Sequence, residues 1–378
     1  MVMFTYNQST KAVNVNNLPE EAWEIISGSE VEKSEGMQCV KSVPFLYRCI
    51  DIRAKHVSKF PRDILRNDQP IDETQEPIFS NLNTLLYQTE FALCLYASAY
   101  YLKQENLVNL LGVRWLAPQF VKPKFSSDVG LTHFERTLPK RDKPQHLEIE
   151  EVVYFWIPPI DTDVGPGIAP AQVALQAAGL LQSSTTFGKS FFDRGAVFPM
   201  LLSVEGNPQK EELKRLENWW KKLLGGVRSA WQTIAVRASV KPQIIGPPID
   251  DMAMPELTQI QREDIATALG VPHSMVLSNA SNFATAQQDK FNFYDDTIIA
   301  QVRLIEEVLN EQLLNQLGLQ IKFKEEQLEP YQEKNLDMGN KLKDLVETGI
   351  LTIDEARETL GLEAKKPITM QLPVGVSE

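Results

Sequence analysis

The closest approach to a nucleotide-binding loop is Gly188-Lys189-Ser190. Such a loop needs a glycine where Ser183 stands, and it must leave a strand and open a helix. Here the triplet lies within a helical pattern, so phosphate binding is not expected. The histidines His56, His133, His146 and His273 share no metal-ligand spacing. There is no Gly-x-Ser-x-Gly elbow and no Gly-x-Gly-x-x-Gly fingerprint. The pairs Asp250-Asp251 and Asp295-Asp296 could hold a cation. Neighbouring acids on a helix point in different directions, so they read as solvated surface. Trp219-Trp220 and Trp231 could stack on bases, although packing is the more ordinary use of such rings. The expectation is a chain without catalysis, cofactor or metal.

Composition narrows the class. A hydrophobic fraction of 43% with 23% charged residues fits a folded chain of two or three modules, or one elongated subunit of an assembly. Cys39, Cys49 and Cys94 are too few and too widely spaced for a disulfide framework or a thiolate metal site, which fits synthesis in a reducing cytoplasm. No apolar run reaches the roughly 20 residues that cross a bilayer, and the first residues do not read as a signal peptide. Membrane partners are not expected. The net charge of -12 argues against tight duplex binding, which needs clustered Lys and Arg. An acidic wall would suit a protein that lets DNA slide past. Acidity that merely aids solubility is the plainer alternative.

The elements follow from periodicity. Residues 1 to about 40 read as an extended arm, with Glu20 to Ile26 as one short helix. Pro44 to Val57 reads as a helix with Phe45, Cys49, Ile52 and His56 on one face. Ile78 to Leu102 reads as a second helical region. Strands are expected at Val108 to Val113, Trp115 to Val121 and Glu151 to Trp156, with Gln145 to Val152 pairing in the same sheet. Pro158 to Gly167 marks the clearest boundary. A helix then runs from about Ala169 to Gly195, so apolar from Ala171 to Leu181 that neighbours must cover it, and those could be other subunits.

Residues 196 to 248 read as a compact unit: a strand at Phe198 to Val204, a helix after Asn207-Pro208, and strands at Thr233 to Arg237 and Gln243 to Ile245. Between Glu205 and Lys241 lie eight basic residues (Lys210, Lys214, Arg215, Lys221, Lys222, Arg228, Arg237, Lys241) against four acidic ones. That excess reads either as solvated helix surface or as a contact for an acidic partner or DNA phosphates.

The stretch that organises the chain runs from Met254 to Leu317. Pro255 begins a helix that Gly270 and Pro272 end, Gly by accepting a left-handed cap and Pro by disfavouring helix before it. The segment Ser274-Met275-Val276-Leu277-Ser278-Asn279-Ala280-Ser281-Asn282 reads as an irregular loop of small polar and exposed apolar residues. A long helix from about Thr285 follows, with Ile298, Val302, Ile305, Leu309, Leu313 and Leu317 on one face. At about 1.5 Å per residue it is about 50 Å long. The chain closes with a strand at Gln320 to Glu325, a helix at Asn335 to Glu347, a Thr352/Glu355 capping box and a C-cap at Gly361.

Several of these blocks, in order, resemble the tailed-bacteriophage portal proteins of the HK97-like family. They are the helix Val43 to Leu65, Gly167 to Pro170 with the apolar helix behind it, Phe192 to Pro199, Leu269 to Pro272, Asn282 to Gln288, and Gly349 to Arg357, where Asn is more usual at Asp354. The resemblance spans Val43 to Gly361. It implies an α+β, mostly helical subunit with wing, stem, clip and crown regions that assembles into a ring, usually of twelve.

Carried onto this chain, residues 1–42 form an N-terminal arm, 43–166 a wing and 167–195 the first stem helix. Residues 196–250 form the clip, 251–272 the second stem helix, 273–284 the tunnel loop, 285–334 the long wing helix and strand, and 335–378 the crown and tail. The implied function is a channel at one capsid vertex of the virion. Double-stranded DNA is driven through it by the terminase and later ejected, with no enzymatic activity in the ring itself. The DNA-facing residues would be Ser274, Met275, Val276, Leu277, Ser278, Asn279, Asn282 and Phe283, none of which pins a phosphate. Lys210, Lys214, Arg215, Lys221, Lys222 and Arg228 would dock the terminase large subunit and a head-completion adaptor. Capsid and scaffold proteins are further implied partners, and the subunit would be made in the bacterial host cytoplasm.

Two rival readings stand beside this one. The chain could be a non-enzymatic helical scaffold or adaptor of a phage or prophage particle, monomeric or dimeric. It could also be an enzyme whose polar pocket the sequence does not announce. Ring formation discriminates against both.

Overall fold

A computed structural model describes residues 30–73, 76–105, 110–126, 130–139, 143–160, 164–193, 200–204, 210–211, 214–215, 218, 240–244, 254–277 and 283–359. The chain is α+β and mostly helical. Helix α1 (Glu30–Ser42) replaces the extended arm expected over its residues. It lies close on the next layer: a side chain at Gly36 would meet Leu95 Cδ1 at 3.2 Å. Helix α2 (Pro44–Ser58) starts at a proline whose missing N–H costs nothing there, and it buries Phe45, Cys49, Ile52 and Val57.

The helix expected through Leu102 stops earlier. Helix α3 spans Leu82–Tyr96, and Ala97 caps it in the left-handed region at φ +55. A non-glycine residue there costs roughly 1–2 kcal/mol. Ala97 is fully buried, and its N–H bonds to Leu93 O at 3.0 Å. Strand β3 (Ser98–Glu105) follows at once and sits between β4 (Leu110–Leu116) and β8 (Val152–Trp156). Period-two alternation then divides the apolar residues. Ala99, Tyr101, Val153 and Phe155 face the main core. Tyr100, Val152 and Tyr154 face a smaller core with Leu116, Val121, Phe134 and Leu147. In that core the Tyr100 and Tyr154 rings stack with centroids 5.1 Å apart.

The other half of the small core comes from β5 (Val121–Ser126), β6 (Gly130–Arg136) and β7 (Gln145–Leu147). The segment from Gln145 therefore pairs with β6, not within the sheet of β8. A third sheet was not expected. Strand β1 (Arg62–Arg66) pairs with β2 (Gln69–Ile71) around Asn67 and Asp68, which take φ of 50 and 61. These are the two left-handed positions of a tight hairpin. Further on, β9 (Met200–Val204) pairs antiparallel with β10 (Val240–Ile244). The strand expected at 233–237 and most of the helix after Pro208 lie outside the described residues.

The long helical stretch begins at Phe283. It consists of α7 (Phe283–Asn292, α6 being the short helix described below), a π-helical segment at Phe293–Ile298, α8 (Ile299–Leu309), and a second π-helical segment at Asn310–Leu314. Ile298, Val302, Ile305, Leu309 and Leu313 are buried as expected, but Leu317 is exposed. The second π segment shifts the helical phase, so a uniform 3.6-residue repeat carried the apolar face too far. Strand β11 (Leu319–Phe323) then pairs with β1, Arg62 opposite Phe323.

Side chains of the long helix bond two strand edges. Asn310 Nδ2 donates to Ile321 O at 3.0 Å, and Ile321 N–H donates to Asn310 Oδ1 at 2.8 Å. Phe323 N–H donates to Glu306 Oε2 at 2.8 Å. On β8, Tyr154 N–H donates to Gln312 Oε1 at 2.8 Å, and Gln312 Nε2 donates to Tyr154 O at 3.3 Å. The chain continues into α9 (Glu329–Glu347), which starts six residues before the expected Asn335, and α10 (Ile353–Thr359). The capping box forms: Thr352 N–H donates to Glu355 Oε2 at 2.8 Å, and Glu355 N–H to Thr352 Oγ1 at 3.3 Å. Gly361 lies outside the described residues.

Candidate functional site

Helices α4 (Pro170–Asp193) and α5 (Met254–Ala268) pack together. On α4 the residues Ala171, Ala174, Ala178 and Leu181 are buried at steps of three and four. Small side chains at that spacing let a second helix come close. The opposite face of α4 carries Val173 (64% exposed), Leu180 (50%) and Phe187 (43%), and α5 exposes Leu257 and Ile260. The pair is thus covered by its own subunit on one side and apolar but bare on the other.

The end of α5 is held by bonds from several elements. Val271 N–H bonds to Ala266 O at 2.9 Å and Gly270 N–H to Thr267 O at 3.0 Å. This is the paired pattern of a Schellman cap, with Gly270 at φ +62 and the buried Val271 against the buried Ala266. The C-cap read from Leu269-Gly270-Val271-Pro272 is therefore present.

Two further donors hold the same turn from other elements. Arg53 of α2 gives Nη1 to Leu269 O at 2.8 Å. Thr297 of the first π segment gives Oγ1 to Gly270 O at 2.9 Å. A β-carbon at Gly270 would lie 2.6 Å from Thr297 Oγ1, so contact as well as conformation demands glycine.

Arg53 is itself locked. Its Nε donates to Glu90 Oε1 at 2.8 Å, and the two side chains are 7% and 0% exposed. Cys94 Sγ donates to the same oxygen at 3.1 Å. Burial works to lower the Arg53 pKa, but the Cys94 sulfur and the Glu90 carboxylate outweigh it and hold the guanidinium above its ordinary value. Burial pushes the Cys94 thiol well up. The sequence reading missed Arg53 and Glu90. The available signal was Glu90, the one charged residue of the otherwise uncharged α3.

After the cap, Pro272 starts the short helix α6 (His273–Val276), so the segment expected to be an irregular loop from Ser274 is helical at first. Ser274 Oγ donates to Asp289 Oδ2 of α7 at 2.6 Å. Met275, Val276 and Leu277 are half-buried and pack against the main core. Ser278, Asn279 and Asn282 lie outside the described residues, and Phe283 opens α7.

Of the basic cluster, Lys210, Lys214 and Arg215 are helical and exposed, while Lys221, Lys222 and Arg228 lie outside the described residues. The structure therefore brings Ser274 to Leu277 together at the junction of α5 and α7. Among the described residues no group of three or more His, Cys, Asp or Glu is placed to hold a metal ion. No described helix is long and apolar enough to cross a membrane.

Comparison with known proteins gives one consistent result. A probable portal protein of Streptomyces phage phiC31 is 24% identical over 211 residues, covering 52% of this chain and 44% of the relative's length. Among solved structures, the neck of the native GTA particle computed with C12 symmetry contains a chain that superposes with a TM-score of 0.63. That match has 16% identity and covers 92% of this chain and 99% of that one. The neck of the empty GTA particle computed with C6 symmetry gives 0.64, with 16% identity and 90% and 95% covered. An HK97-family phage portal protein from Corynebacterium diphtheriae gives 0.54, with 14% identity and 76% and 94% covered. These likenesses fix the fold. The model of the phage portal protein family matches residues 44–361, and the chain belongs to that family.

Proposed function

We propose that the chain is the portal subunit of a phage-like particle. About twelve copies form a ring at one capsid vertex of the virion, and double-stranded DNA passes through the ring on packaging and ejection. The observation that carries this reading is the bare apolar face of α4 and α5, with Val173, Leu180, Phe187, Leu257 and Ile260 exposed on helices whose other face is core. An apolar strip of that length is ordinarily covered, and the chain's structural relatives occupy necks described with six-fold and twelve-fold symmetry. Copies side by side around an axis cover the strip with the same strip's neighbour. The reading gives the ring a conduit's role, with the motion of DNA driven by the terminase.

On this reading α4 and α5 form the stem, and residues 196–250 form the clip. There Lys210, Lys214, Arg215, Lys221, Lys222 and Arg228 meet the terminase or the head-completion adaptor. The crown is built on α9 and α10. Because Met275 to Leu277 pack inward, the DNA-facing tip of the tunnel loop is Ser278 to Asn282, with Phe283 behind it. Ser274 to Leu277 form its rooted base.

The test is native mass with negative-stain imaging. Rings with a central hole are expected. The double variant Val173→Glu/Leu180→Glu is expected to break them into smaller species with unchanged helix content by circular dichroism. A single 42.8 kDa species for the unmodified chain at high concentration would favour the scaffold reading. Intact rings in the double variant would remove α4 as the contact. Ser278→Lys and Asn279→Lys should leave rings intact and lower DNA packaging in a reconstituted system.

A further inference from the structure

Copies related by rotation in a closed ring of more than two meet head to tail, so a patch on one flank needs a different patch on the next copy. Helix α4 packs against both α1 and α5. Where it meets α1, the two helices leave an open groove of about 640 Å³. Gln38 and Ser42 of α1 form one wall, and Leu175, Gly179 and Gln182 of α4 form the other. Gly179 lies inside α4, where glycine costs roughly 0.5–1 kcal/mol relative to alanine. A β-carbon there would meet nothing within 4 Å. Nothing inside this subunit therefore demands glycine, and its missing side chain leaves room for a neighbour. Leu175 and Gly179 give the groove an apolar floor under a polar rim, the ordinary build of a protein contact.

The other flank carries side chains that match. Leu257 and Ile260 of α5 are 42% and 53% exposed. Both helices are rooted in the main core, α4 at Ala171 and α5 at Leu269. At about 1.5 Å per residue, Gly179 and Gln182 stand about 12 and 17 Å along α4 from Ala171. Ile260 and Leu257 stand about 14 and 18 Å along α5 from Leu269. Rotation about an axis along the helix pair moves a residue sideways and keeps its height, so the two sets come level. Charge agrees as well. Lys41 is the charged residue on the groove's edge, and it is exposed. On α5, Glu256, Glu263 and Asp264 outnumber Arg262.

We propose, on the ring reading above, that the groove between α1 and α4 takes α5 of the next copy, with Leu257 and Ile260 seated over Leu175 and Gly179. The acidic residues of that α5 then lie towards Lys41. Helix α1 is thus part of the contact between copies.

The test uses the full chain. If its native mass shows no ring, the ring reading falls and this contact falls with it. Given rings, Gly179→Trp is expected to reduce them to smaller species with unchanged helix content by circular dichroism. Leu257→Glu/Ile260→Glu should do the same. Mixed one to one, the two variants are expected to form a dimer and no ring, because one keeps a working groove and the other a working α5. Rings at normal yield from Gly179→Trp, or no dimer on mixing, would overturn the contact and leave the ring reading standing. A second readout keeps the ring whole. In a Cys39→Ser background, oxidation of Leu257→Cys/Gln182→Cys rings is expected to give a ladder of covalent multimers, and each single variant only single chains. No ladder from the pair, or a covalent dimer from Leu257→Cys alone, would also overturn the contact.

Discussion

The long helix is fastened to the rest of the subunit in two opposite ways. Near Thr297 it meets the end of α5, where Arg53, Glu90, Leu269 and Val271 are buried and the bonds from Arg53 to Glu90 and Leu269 and from Thr297 to Gly270 join elements distant in sequence. Near α7 it meets α9 through an exposed seam. There Lys290 pairs with Glu329, Gln287 Nε2 donates to Glu333 Oε2 at 2.9 Å, and Tyr331 OH donates to Asp295 Oδ1 at 2.6 Å. Lys334 lies over the Phe291 ring at 4.3 Å. Charges in water contribute little and are screened by salt, whereas breaking a buried pair strands the partner's charge. The first joint is therefore the firmer of the two, and the seam with α9 is the more sensitive to salt.

The largest effect that would sharpen this contrast is at the buried pair. Arg53→Met is expected to cost about 3–5 kcal/mol, read as a lower denaturant midpoint, because Glu90 is left charged and unpaired. Adding Glu90→Leu should recover much of that loss. Gly270→Ala comes next, at roughly 1–3 kcal/mol for its positive φ, together with displacement of Thr297. Thr297→Val, which removes one hydrogen bond to Gly270 O, should cost about 1 kcal/mol.

pH separates the two joints. Burial holds the His56 imidazole, beside Phe293 and Tyr294, below its ordinary pKa of 6.5. The unfolded chain therefore binds the proton more readily, and stability falls as pH drops below about 6.5. Replacing His56 by Phe should flatten that slope.

The smallest effect lies in the seam. The hydrogen bond and charge of Lys290 lower the Glu329 pKa from 4.5. Its contribution is complete above that value and is lost as pH falls through the lower folded one. High salt at neutral pH should speed amide exchange in α9 and leave α5 unchanged. Equal acceleration in both helices would break the comparison.

Local chemistry made part of this legible. Gly270 with Pro272 announced the end of α5, and Thr352 with Glu355 announced α10, because both signals act within four residues. The alanine-rich face of α4 was equally plain. The misread parts depended on partners far along the chain. Ala97 turns without a glycine because burial fixes it. β1 exists because β11 pairs with it. Arg53 reads as one more helical charge until Leu269, 216 residues away, is brought to it. The described half of the loop looked free because Met275, Val276 and Leu277 carry no periodic signal, yet the core behind them is what they pack on.

The bonds from Glu306, Asn310 and Gln312 have a consequence for life in a crowd. β8 and β11 are both outer strands of their sheets. An uncovered outer strand is a template on which another chain can add a strand and start an aggregate. Here side-chain amides and a carboxylate occupy peptide groups of Tyr154, Ile321 and Phe323, much as a further strand would. These two edges are therefore closed to a further strand, and one helical stretch guards both.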